Sequence, residues 1–107
     1  LDHELSPSIR NKEKSESQLE KEDAYARIRY FRESGIMEAS TLESFLEIYD
    51  DEWLLCLEIL ELALERNMDH LSTLAIKVLN TIKLTHPKLE NLISSGIAIC
   101  EQKLVLS

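Results

Sequence analysis

The stretch Trp53-Leu54-Leu55-Cys56-Leu57-Glu58-Ile59-Leu60-Glu61-Leu62-Ala63-Leu64 decides the fold of this chain. Wound at about 100° per residue, it gathers Glu58 and Glu61 into one narrow sector, joined by Glu65 and interrupted by Leu54. Apolar side chains fill the rest of the wheel. A surface helix needs an apolar stripe only somewhat wider than about 100°, so this one must have neighbours on more than one side. It is expected to be the third and central helix, spanning about 51–66. Trp53 is expected to be buried there, with Trp53→Ala costing about 3 to 5 kcal/mol.

Working outward, Asp50-Asp51-Glu52 offers an N-cap and acids for the first turn of that helix, and Asn67 offers a left-handed residue at its end. Upstream, Ser40-Thr41-Leu42-Glu43 matches the S/T-x-x-E capping box and predicts a short helix to about Tyr49. Before it, residues 15–34 read as a first helix with Leu19, Tyr25, Ile28 and Phe31 along it. Gly35 stands where a left-handed stop belongs, and Ile36 where a hydrophobic contact often follows. Downstream, Leu71, Leu74, Ala75, Val78, Leu79 and Ile82 keep the i, i+3, i+4, i+7 spacing of a fourth helix, with Asp69 as its cap. Pro87 begins a fifth, in which Leu89, Leu92, Ile93, Gly96, Ile97, Cys100 and Leu104 repeat the pattern. Gly96 on that face would let another backbone approach closely.

These readings add up to an all-α fold: a compact bundle of about five helices with short connections, rather than a repeat array, since no residue-level repeat links the helices. Two Gly and two Pro in 107 residues leave little material for hairpins. The first 14 residues, LDHELSPSIRNKEK, show no periodicity and read as an arm or linker that Leu5 and Ile9 can anchor. Residues 15–107 form the helical domain. The chain opens at Leu1 without Met, as a domain cut from a longer protein would.

The formal charge of −8 is local. Residues 1–34 carry seven basic and eight acidic side chains, residues 35–66 one and nine, and residues 67–107 four and three. A field of that sign repels phosphate backbones, so the expected partner is neither nucleic acid nor membrane. In Tyr25-Ala26-Arg27-Ile28-Arg29-Tyr30-Phe31-Arg32, the spacing of Tyr25, Ile28 and Phe31 makes a core stripe. The flanking arginines are then available to the acidic middle segment, within the chain or across a dimer. Cys56 and Cys100 lie in apolar helical patterns and read as buried free thiols, which suits a cytoplasmic setting. No run approaches the roughly 18 apolar residues of a membrane span.

No nucleophile, base or ligand cluster points to catalysis, so no enzyme activity, cofactor or metal is expected. The Glu-x-x-His pairs of di-iron bundles are missing, and His3, His70 and His86 fall in the arm or at helix boundaries. Glu58, Glu61 and Glu65 read as a solvated stripe and as the candidate partner-binding residues. Ile76, Leu84, Ile99, Val105 and Leu106 stand at the edges of their helical faces, where they suit a protein partner or self-association as a homodimer. The expected function is a non-catalytic helical protein–protein interaction or oligomerisation module. The stretch Asp51-Glu52-Trp53-Leu54-Leu55, followed by Leu57-Glu58-Ile59, resembles helical tails of some bacterial aromatic amino-acid hydroxylases. The resemblance covers one helix and includes none of that family's iron ligands. It implies the alternative function, an accessory C-terminal helical domain of a larger metabolic enzyme.

Overall fold

The computed structural model describes residues 19–36 and 38–106, the side chains of 104–106 excepted. The expected arm of residues 1–14, with Leu5, Ile9 and His3, lies outside the described residues, as do the side chains of Leu104, Val105 and Leu106. Helix α1 covers 19–34 of the described chain, followed by α2 (Ala39–Ile48), α3 (Trp53–Glu65), α4 (Asp69–Thr85) and α5 (Glu90–Leu106). No strand occurs among the described residues.

The stop signals act as their chemistry demands. Gly35 takes φ 80°, and its N–H returns to Phe31 O at 3.2 Å, closing the last turn of α1. Ile36 stays exposed and makes no apolar lock with the helix. At the end of α3, Asn67 takes φ 57°. Met68 N–H reaches Ala63 O at 2.8 Å and Asn67 N–H reaches Leu64 O at 3.3 Å, which is the Schellman pairing. Met68 packs against the core and supplies the accompanying hydrophobic contact.

The start signals differ from expectation. Ser40 does not cap α2, because the helix begins earlier, at Ala39, with Glu38 in the cap position. Ser40 is therefore already inside the first turn, and its carbonyl instead accepts the Ser44 hydroxyl at 3.0 Å. Asp50 and Asp51 form the corner between α2 and α3, and Glu52 occupies the cap position with no side-chain capping bond. Asp69 lies in the first turn of α4 rather than before it, where its charge still faces the positive end of the dipole. Pro87 opens a single 3-10 turn, Pro87–Leu89, from which α5 continues.

Side-chain links fix the helix directions. Lys21 meets Glu52 at one end of α1 and α3, and Arg66 meets the backbone of Arg32 and Gly35 at the other, so these helices run parallel. The Cys100 thiol lies 3.9 Å from Leu57 O and Lys103 lies 3.0 Å from Glu61, so α5 runs parallel to α3 as well. Helix α4 returns between them and packs on α2, α3 and α5. The result is two layers, α1-α3-α5 and α2-α4, with α3 in the middle of the first.

The core lies between those layers. Leu55, Cys56, Ile59, Leu60, Leu62 and Ala63 of α3 are fully buried, together with Leu42, Leu71, Ala75, Leu79 and Ile93. Each large aliphatic side chain so buried contributes about 1.5 to 3 kcal/mol. Ile28 and Phe31 close the core from α1, and Tyr25 is half-buried at its margin. Trp53, the first residue of α3, is only partly buried and packs against the edge of the core. Its removal therefore falls below the range expected for a fully buried Trp. Both cysteines are buried and free.

Candidate functional site: a groove over the central helix

Among the described residues, no helix lies over the outer face of α3, which carries Leu54, Glu58, Glu61 and Glu65 at successive helical turns. Helices α1 and α5 stand on either side of it, so α3 forms the floor of a groove. Leu54, Leu57, Glu58 and Glu61 line the floor, Tyr25 forms one wall, and Gly96, Ile99 and Cys100 form the other. The cavity has a volume of about 360 Å³. Leu54 is 55% exposed and Ile99 53%. Leu92, one turn before Gly96 on α5, is 55% exposed.

Glycine 96 sets the depth of this groove. A Cβ there would stand 2.6 Å from Leu57 Cδ1, so only glycine lets α5 close on that side chain as it lies. The close approach anticipated at Gly96 is thus made, by the Leu57 side chain rather than by a second backbone.

At one end the groove is crossed by ion pairs. One guanidinium nitrogen of Arg32, Nη2, is 3.1 Å from both Glu58 Oε2 and Glu61 Oε1, and Lys103 Nζ is 3.0 Å from Glu61 Oε2. Arg32 thus pairs with the acidic segment inside its own chain. The expectation that all three glutamates form a wet stripe needs correction. Glu61 has a side chain only 20% exposed and Glu58 43%, because the flanking helices each deliver a cation to them. Glu65, one turn further on, is exposed. Pairs as accessible as these contribute about 0 to 1 kcal/mol each, so the clasp shapes the groove more than it stabilises the fold.

Burial, and then the nearby Glu52 and Glu58, hold the Tyr25 phenol above its ordinary range, so it remains protonated. The Cys56 thiol is pushed up to about 12, first by burial and then by Asp50, Asp51 and Glu52. Burial also raises the Cys100 thiol at the groove wall. Both sulfurs are therefore thiols at neutral pH and poor nucleophiles. Because an unfolded Cys56 would lose its proton near 9, its contribution to stability is full below that pH and is lost as pH rises towards 12.

Elsewhere, His70 Nε2 lies 3.4 Å from Glu43 Oε1, an exposed α4–α2 contact that uses the acid expected to cap α2. Among the described residues, no three His, Cys, Asp or Glu side chains are grouped to hold a metal, and no helix is long and apolar enough to cross a membrane. Leu84 and Ile99 are exposed, as their edge positions foretold, whereas Ile76 packs against the core. Leu92, assigned to the buried stripe by its spacing, faces solvent instead. The one sequence sign of the groove was Leu54, an apolar residue among glutamates on a face turned away from the core.

Fold and groove together define an all-α helical bundle with an open apolar channel along its central helix. No family model, curated protein or solved structure matches the chain.

Proposed function

We propose that this protein is a non-catalytic helical interaction module and that a partner protein binds in the groove between α1 and α5. The observation that carries the reading is the meeting of Leu54 and Ile99, each more than half exposed, in one channel whose floor is the central helix. Scattered exposed leucines are ordinary on a surface; apolar side chains gathered in a channel with a charged border are the pattern of a recognition site. The acidic surroundings agree with it. Glu65, Asp50 and Asp51 are exposed at the two ends of α3, and Glu58 and Glu61 border the channel between them.

A photoreactive benzoylphenylalanine placed at Ile99, with a control at the exposed Ala98 on the back of α5, tests the proposal in living cells. The expected result is a discrete adduct of higher mass from position 99 and none from position 98. Equal, diffuse labelling from both positions, or none from either, contradicts it.

A further inference from the structure

We infer that the occupant of the groove is a basic amphipathic helix of another protein, seated by two or three large apolar side chains and flanked by Lys or Arg. The inference rests on the interaction-module reading and specifies its partner. The channel floor from Leu54 to Glu61 spans seven residue steps of helix, or about 10 Å, which matches two turns of a facing helix presenting residues at i, i+3, i+4 and i+7. A cavity of about 360 Å³ admits a few side chains rather than a whole helix, so the partner lies over the channel and plugs into it.

Backbone chemistry selects a helix over an extended segment. The described residues offer no strand edge to complete, and an extended peptide pressed onto Leu54, Leu57 and Ile99 would leave its N–H and C=O groups facing apolar side chains. A helix satisfies those groups internally.

Charge selects a basic partner. Arg32 and Lys103, beside the channel, are held by Glu58 and Glu61. Asp50, Asp51 and Glu65 remain exposed, in a segment with nine acids against one base. A second copy of the chain would set this acidic border against itself, and like charges so juxtaposed oppose docking.

The test uses the full chain and three fluorescein-labelled peptides: an amphipathic Leu/Lys helix, a scramble of the same composition, and a Leu/Glu helix. The Leu/Lys helix is expected to bind roughly tenfold tighter than either of the others, and more weakly as salt is raised. The Leu54→Ser, Ile99→Ser double variant, which alters only exposed positions, should lose that advantage, and circular dichroism should show its helicity unchanged. Equal binding of the scramble, binding of the Leu/Glu helix as tight as that of Leu/Lys, or full affinity in the double variant overturns the inference. An adduct at Ile99 that joins two copies of this chain overturns it as well. If position 99 labels a discrete partner while the peptides show no preference, the inference fails and the interaction-module reading stands.

Discussion

Ile59→Ala is expected to lower the free energy of unfolding by about 2 to 5 kcal/mol, read from the shift in a urea or guanidinium denaturation midpoint. Ile59 is fully buried at the centre of the α3 arc that faces the second layer, and the side chains around it belong to helices fixed on several sides. They cannot collapse into the space left behind, so a cavity cost adds to the lost transfer free energy. Against a total stability of about 5 to 15 kcal/mol, that loss brings a domain of this size close to unfolding. Leu54→Ala on the same helix supplies the contrast. It lies on the open face and should change stability by no more than about 0.5 kcal/mol. Comparable losses at the two positions would mean that the outer face of α3 is covered.

The second large effect belongs to Arg66, the residue that closes α3. Its Nη2 donates to Arg32 O at 3.0 Å and to Phe31 O at 3.4 Å, while Nη1 donates to Gly35 O at 3.4 Å. These are carbonyls at the C-terminus of α1, where no further turn supplies N–H donors to Arg32 O and Gly35 O and where the dipole favours a cation; Phe31 O also receives the Gly35 N–H. One planar guanidinium therefore caps one helix while belonging to the end of another, and it holds the two in parallel register. Arg66→Ala should cost about 2 kcal/mol, within the range for hydrogen bonds to charged groups. Arg66→Lys should recover only part of it, because a single ammonium cannot reach three carbonyls as a fork does. Denaturation midpoints check both, and full recovery by Lys would mean that charge alone, without the fork, does the capping.

The two residues mark what the sequence made legible and what it did not. Ile59 was readable from local pattern, because burial on nearly all sides of a helix follows from how few polar residues interrupt it. The stops at Gly35 and Asn67 were readable for a similar reason, since a left-handed backbone selects its residue type strongly. Helix starts were less so. Ser40 matched a capping box, yet the chain entered the helix at Ala39, and a cap motif loses its meaning once its first residue is inside the turn. Arg66 was not legible at all, because its partners lie more than thirty positions away and are backbone atoms that carry no sequence signature.

The groove falls between these cases. Leu54 among glutamates was visible as an anomaly, and Ile99 as an edge residue, but their meeting depended on the parallel placement of α1, α3 and α5. The glutamate stripe illustrates the same dependence. Glu58, Glu61 and Glu65 do share a face, yet which of them stays in water was decided by Arg32 and Lys103 on the neighbouring helices. Leu92 shows the converse, because its spacing fits the buried set of α5 while its side chain is more than half exposed.

The placement at stake is that of α3 as the middle element of the bundle, held on its inner and lateral sides and, among the described residues, open along the groove. Residue-resolved amide hydrogen exchange tests it most directly, since the slowest amides exchange only through global unfolding and so locate the most enclosed segment. The slowest set is expected in α3 around Ile59 to Ala63, with the facing turns of α4 next. A slowest set confined to α1 or α5, with α3 exchanging as fast as α2, would contradict it.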